Sequence, residues 1–171
     1  MSIVRANRWE LVDGIPTGTV LQTLGTENTT PIVVSASASW YDVCTISITP
    51  SAATNKILLR WHLTGVAGPS YDRSEFTLRR DTTLIHIGDP AITSTGATGK
   101  INYWSTSDST IADYGGHYLD APNTTSTITY RLSVRDSNVD NTIYINRSTR
   151  APGTGDTNST ASALVIQEIQ G

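Results

Sequence analysis

The stretch SAATNKILLRWHLTG, residues 51–65, joins a polar lead-in to a regular alternation of apolar and polar side chains. One parity carries Ile57, Leu59, Trp61 and Leu63. The other parity carries Lys56, Arg60 and His62, with Leu58 as an apolar exception. A period of two residues predicts a β-strand with one face in a core and the other face exposed.

Similar runs recur along the whole chain, with Gly, Pro, Asn, Asp and Ser between them. We predict strands at 19–24, 31–34, 40–49, 56–64, 75–80, 83–88, 101–104, 114–119, 126–135, 142–147 and 161–169. No segment shows a sustained helical period with caps, and no repeat of fixed length is present. Short strands at this spacing predict an all-β, antiparallel sandwich of the jelly-roll type.

Two of the predicted strands indicate which residues lie inside. In STITYRLSVR the pattern is one-sided, with Ile128, Tyr130, Leu132 and Val134 on the core parity. In the last run, ASALVIQEI, both parities are apolar, so both faces should be buried. A neighbouring subunit is the simplest cover for the second face. We assign Leu164 and Ile166 to a subunit interface and let Val165 and Ile169 complete the core.

The composition restricts the function. Ser and Thr make up 45 of 171 residues, and only 16% of residues are charged. A net charge of −3 gives no basic field for nucleic acid. No apolar run is long enough for membrane insertion, and the first residues do not form a signal peptide, so we expect synthesis in the cytoplasm. Ten of the twelve basic residues are Arg, which favours protein interfaces.

The residues that usually carry chemistry are few. Cys44, the one cysteine, shares a parity with Ile46 and Ile48 and is predicted to be a small core side chain rather than a reactive thiol. The three histidines have none of the spacings typical of metal sites. They are His62, His86 and His117. There is no G-x-S-x-G motif for a nucleophilic serine. We therefore expect no enzyme activity, no metal site and no cofactor.

The carboxylates also lack a recognisable catalytic pattern. Asp72 and Glu75 lie near one loop, and sequence alone leaves open a glycosidase pair. The segment RDSNVDNT, residues 135–142, places acidic and amide side chains two residues apart, as in the first half of a calcium loop. It lacks the glycine and the closing Glu of that loop, so a hairpin turn is the better interpretation.

Residues 1–16 differ from the rest because they show no sustained alternation. Arg5, Arg8 and Trp9 are the residue types enriched at protein interfaces, and we predict that this segment is a docking arm in front of a domain at 17–171. Two alternatives stay open for it: a frayed terminus, or a lead-in strand that packs on its own domain.

Several segments, in their order, resemble one family. They are GTVLQTLGT, ITPSAATNKILLRW, YLDAPNTTSTITYRLSV, TIYINRS and the terminal STASALVIQEI. This order is similar to phage-encoded jelly-roll domains of the tumour-necrosis-factor and C1q-like type. The resemblance covers residues 17–171, while the early part and the 89–113 region match no segment of that family.

The resemblance implies a homotrimer without catalytic residues, located on a virion. Such domains occur as capsid decoration, or cement, proteins and as the distal parts of tail fibres. Because only about sixteen residues precede the domain, we expect a decoration protein that binds the major capsid protein on the outer surface of a phage shell. The alternative is a short tail-fibre protein that binds a host surface receptor.

Overall fold

The computed structural model describes residues 17–35, 37–67, 74–89, 96–101, 111–137, 139, 142–149 and 159–171. These residues form eleven β-strands and no helix. The strands are β1 (Val20–Asn28), β2 (Ile32–Val34), β3 (Tyr41–Ile48), β4 (Lys56–Ala67), β5 (Ser74–Arg80), β6 (Thr83–Ile85), β7 (Gly99–Lys100), β8 (Ala112–Asp120), β9 (Ile128–Asp136), β10 (Ile143–Ile145) and β11 (Ser162–Ile169). Within the same residues, no helix is long and apolar enough to cross a membrane.

The strands form two antiparallel sheets. In sheet A, β1 pairs with β11, β11 with β4, and β4 with β8 on its other side, while β10 and β2 extend the far end of β4. In sheet B, the order is β3–β9–β5–β6, and β7 also pairs with β5. The all-β, antiparallel prediction is therefore confirmed, and ten of the eleven predicted runs overlap a strand. The run at 101–104 lies mostly outside the described residues.

The core lies between the sheets and follows the predicted alternation. All four apolar residues of one parity in β4 are buried, from Ile57 to Leu63. The four residues assigned to the core in β9, from Ile128 to Val134, are buried as well. Cys44 is buried among them, as predicted. Burial by itself stabilises each such side chain by roughly 1.5–3 kcal/mol.

Strand β4 runs three residues further than the alternation predicts. Its last part, from Thr64 to Ala67, is buried throughout. The reason is that this part has neighbours on both sides, with Gly65 opposite both Ile145 in β10 and Ala112 in β8. A Cβ at Gly65 would lie 2.7 Å from the backbone oxygen of Tyr144, so only glycine fits this close approach.

The last strand, β11, presents its two faces in the opposite sense to our assignment. Leu164 and Ile166 are fully buried in the core of the single chain, so neither side chain is available for a subunit interface. The assignment is wrong because cross-strand pairing places them beside Trp61 and Leu59 of β4, which are core residues. Alternate residues of β11 do face opposite sides of the sheet, as predicted, but the side that faces the core carries Leu164 and Ile166 instead of Val165 and Ile169.

A buried polar contact ties the two sheets together at one end. Asp120, the last residue of β8 in sheet A, accepts hydrogen bonds from Arg80 of β5 at 3.0 Å and from the Tyr130 hydroxyl of β9 at 2.7 Å. Burial, together with the hydrogen bond to Asp120, raises the pKa of Tyr130 well above its usual range. The hydroxyl therefore stays protonated as a donor.

Candidate interaction surface

The face of sheet A that points away from the core is made of the alternate residues of its strands, and we call it the outer A face. It comprises Val20, Thr23, Gly25 and Glu27 in β1, Ala163, Val165, Gln167 and Ile169 in β11, Lys56, Leu58, Arg60 and His62 in β4, and Asp113, Gly115, His117 and Leu119 in β8. The cross-strand register places these residues in rows. Leu58, for example, lies between Gln167 and Leu119.

The outer A face carries large apolar side chains among its charged and polar ones. Val20 and Leu119 are 47% and 48% exposed, and Val165 and Ile169 are half-buried. A shallow depression of about 380 Å³ lies on this face between β4 and β8. It is lined by Leu58, Arg60, Gly115, Gly116 and His117. Leu58, Val165 and Ile169 lie on the strands between Val20 and Leu119, so apolar area crosses the face from β1 to β8 and makes it a candidate interaction surface. The exception in the opening alternation, Leu58, is thus the sequence signal for this face.

Polar contacts on the outer A face are sparse and exposed. The His62 ring lies 3.4 Å from Asp113, and both side chains are more than half exposed. Gln167 donates a hydrogen bond to the Thr23 hydroxyl at 3.2 Å. Exposed pairs of this kind contribute little stability, so they do not account for the composition of this face.

The corresponding face of sheet B, the outer B face, is held by charged groups. Its residues are Asp42 in β3, Arg131, Ser133 and Arg135 in β9, and Glu75, Thr77 and Arg79 in β5. Arg79 and Arg131 lie directly opposite each other, which alone would be repulsive. Asp42 lies within 3.0 Å of Arg79 and 3.2 Å of Arg131, and also accepts a hydrogen bond from Ser133. The carboxylate therefore neutralises the repulsion.

A second ion pair completes the outer B face. Arg135 donates two hydrogen bonds, of 3.0 and 2.9 Å, to the Glu75 carboxylate, and both side chains are nearly buried. The guanidinium also lies 4.3 Å from the ring centroid of Trp40. Glu75 thus serves as an ion-pair partner in the structure. Asp72, the other member of the glycosidase pair left open by the sequence, lies outside the described residues.

The candidate reactive groups are placed as follows. Burial, with a smaller effect of the Glu27 charge, raises the pKa of the Cys44 thiol to about 11, so the reactive thiolate is scarce at neutral pH. No group of three or more metal-ligating side chains occurs among the described residues. In the segment that resembles a calcium loop, Asp136 is fully buried, and residues 138 and 140 lie outside the described part.

The predicted docking residues Arg5, Arg8 and Trp9 lie outside the described residues, so the docking arm stays a prediction. Comparison of the chain with models of protein families found no match, and a comparison with curated proteins found none either.

Proposed function

We propose that this protein is a homotrimeric jelly-roll protein of a phage virion that decorates the outer surface of the capsid. It acts by binding and by reinforcing the shell, without a chemical reaction. The observation that carries the assembly part of this proposal is the set of apolar side chains that crosses the outer A face. The virion part rests on the sequence segments that resemble phage jelly-roll domains.

The jelly-roll assignment is supported by the nesting of the strand pairs. Strand β1 pairs with β11, β3 with β9, β4 with β8, and β5 with β6. Nested antiparallel pairs of this kind describe one long hairpin, and the pairings β11–β4 and β9–β5 fold that hairpin over into two sheets. This strand topology is the one expected of a jelly roll.

The trimer part of the proposal places neighbouring subunits on the outer A face. Val165 and Ile169 of β11 are the last-strand residues on that face, and they replace Leu164 and Ile166 in our interface assignment. Leu58 and Leu119 continue the apolar surface on β4 and β8. Burying such a face removes apolar area from water at roughly 25 cal/mol per Å².

A trimer would present three copies of each docking contact, so weak contacts act together through effective concentration. In this proposal the segment 1–16 supplies one contact per subunit, with Trp9 as an apolar anchor and Arg5 and Arg8 facing carboxylates of the major capsid protein. Three such contacts let a small protein hold several shell subunits at once.

The assembly part is tested by mass. Light scattering of the full chain should give about three times 18.4 kDa. Val165→Lys places a charge in the outer A face and should shift the mass towards 18.4 kDa. Ser47→Lys, an exposed strand residue of sheet B, is the matched control and should leave the mass unchanged. A wild-type chain that stays monomeric at micromolar concentration would overturn the trimer.

The virion part is tested with undecorated phage shells. Purified protein should bind them, and deletion of residues 1–16 or Trp9→Ala should weaken binding by about tenfold or more while the trimer persists. Labelled protein on intact particles should lie on the shell. A label confined to the tail tip would reject decoration in favour of a receptor-binding fibre protein, and equal binding by the shortened chain would reject the arm.

A further inference from the structure

A groove of about 610 Å³ lies along the edge of the sandwich, where the end of β6 faces the end of β8. Its lining includes Arg80, His86, Ile87, Tyr118 and Asp120. The volume is in the range of about 300–1,000 Å³ that is usual for small-molecule sites. The groove lies at the open side of the sandwich, between one edge strand of each sheet. Leu119 of the outer A face also lines it, so the groove adjoins that face at its β8 edge.

Aromatic rings form one wall of the groove. The ring centroid of His86 lies 4.8 Å from that of Tyr118, at an interplanar angle of 32°, and 5.6 Å from that of Trp61. A Cβ at Gly116 would lie 2.5 Å from the Trp61 ring, so the glycine lets the indole extend over β8 to this edge. Two features of the chain, a glycine in a strand and a histidine at a strand end, thus combine to build the wall.

Two features of the aromatic wall are unfavourable for stability and therefore point to a binding role: the backbone conformation of His86 and the indole N–H of Trp61, unpaired within the described part of the chain. His86 is exposed and has a φ of 53°, a left-handed conformation that costs energy for a residue other than glycine. The Nε1 atom of Trp61 is buried and has no hydrogen-bond partner among the described residues, whereas buried donors are normally paired. The exposed His86 ring packs on the Trp61 ring, so a ligand held against His86 would also change the surroundings of the Trp61 indole.

The polar side of the groove is balanced in charge. Arg80 and Asp120 form an ion pair at 3.0 Å, with Asp120 nearly buried and Arg80 partly exposed. The pair offers donors and acceptors side by side while cancelling its net charge, which suits a ligand with adjacent hydroxyls rather than an ionic ligand. Ile87, which is 39% exposed, adds an apolar contact at the rim.

We propose that this groove binds a neutral saccharide, with the C–H face of a sugar ring against His86, Tyr118 and Ile87 and its hydroxyls towards Arg80 and Asp120. Amphipathic ligands of this kind match a site with one aromatic wall and a few fixed polar groups. The inference needs neither a trimer nor shell binding, and its test residues His86 and Ile87 lie outside the outer A face, so its test is separate from those of the proposed function.

The probes are the neutral disaccharides lactose, maltose and cellobiose, with sialyllactose as a charged comparison. Binding to the full chain is followed by the indole N–H signals in nitrogen-15 NMR spectra, with Trp61 assigned from Trp61→Phe. We expect at least one neutral disaccharide to bind with a millimolar or lower Kd and to shift the Trp61 signal. His86→Gly keeps the left-handed backbone and removes the ring, so it should weaken binding by about tenfold.

Ile87→Ser is the second variant and removes the apolar rim without touching the aromatic rings. Val33→Ser, which changes a side chain that is 48% exposed outside the groove, is the matched control and should bind as the wild type does. Binding that neither groove variant weakens would overturn the proposal, as would binding of the charged sugar alone or of no disaccharide at millimolar concentration. If His86→Gly does not fold, Ile87→Ser decides.

Discussion

The two outer faces of the sandwich differ in their polar contacts and in how much apolar surface they expose. On the outer B face, three arginines meet two carboxylates at hydrogen-bonding distance, and the hydroxyl side chains of Thr77 and Ser133 are fully buried. On the outer A face, the polar contacts are few and exposed, and apolar side chains such as Val20 and Leu119 remain open to solvent. The first face pairs its charged side chains with one another, although the buried Nε atom of Arg79 has no partner among the described residues, whereas the second face leaves apolar area uncovered.

This difference assigns the faces to different roles. A face whose charges are paired with each other loses those pairs when a partner displaces them, so it is better suited to holding the domain rigid. A face of small and apolar side chains gains from being covered. We therefore propose that assembly contacts lie on the outer A face and that the outer B face is structural.

The largest expected effect separates the two sides of strand β11. Ile166→Ala should lower the free energy of unfolding by about 2–5 kcal/mol, because its side chain is fully buried and leaves a cavity. Val165→Ala, one residue earlier on the outer A face, should instead act through assembly. Urea unfolding at two protein concentrations distinguishes them, since only an assembly effect depends on concentration. Equal, concentration-independent losses would contradict the assignment of the faces.

A smaller difference in the free energy of unfolding is expected between alanine variants of one charged residue on each outer face. Glu75→Ala should lower the free energy of unfolding by about 3 kcal/mol, because Arg135 loses a carboxylate in a nearly buried position. Arg60→Ala, on the outer A face, should change it by less than about 0.5 kcal/mol. Both values come from urea unfolding monitored by circular dichroism.

The control for this contrast replaces both partners of the ion pair. Glu75→Met combined with Arg135→Met should recover much of the loss, since apolar side chains of similar volume replace the pair without leaving one charge behind. A double variant as unstable as Glu75→Ala would mean that the outer B face depends on the charges themselves.

The sequence predicted the strands well because each strand depends mainly on its own residues. Period-two alternation located β4 and β9 and the side that each buries. It failed to orient β11, because that strand is apolar on both parities and only its register with β4 decides which side faces the core. It also ended β4 early, because the neighbours that extend this strand come from distant parts of the chain.

The interaction surfaces were harder to predict for the same reason. On the outer B face, Asp42 pairs with Arg79 and Arg131, and Glu75 pairs with Arg135. The members of each pair are far apart in sequence and meet only through the pairing of their strands. The aromatic wall needs His86 and Tyr118 from different sheets. The local clues to the outer A face were Leu58, an apolar residue on the polar parity of an otherwise regular strand, and the last strand, which is apolar on both parities.

The smallest effect concerns the buried carboxylate of sheet A, Glu168, which contrasts with the arginine-paired carboxylates of sheet B. Its donors are neutral: Gln22 at 2.6 Å, the backbone N–H and hydroxyl of Ser51 at 2.7 and 2.8 Å, and the amide of Asn55. Burial acts to raise the pKa of Glu168, but these hydrogen bonds together outweigh it and lower the pKa below the ordinary value of 4.5.

A lowered pKa makes stability depend on pH in a defined direction. The unfolded chain binds a proton at Glu168 near pH 4.5, whereas the folded chain does so only at lower pH. The stabilisation from this carboxylate is therefore complete above that pH and is lost as the pH falls through the folded value. Glu168→Gln should lower the Tm at neutral pH and flatten its fall towards about pH 3. Glu27→Gln, an exposed residue of β1, is the control and should keep the wild-type profile. A Glu168→Gln profile as steep as that of the wild type would mean that other carboxylates govern the acid response.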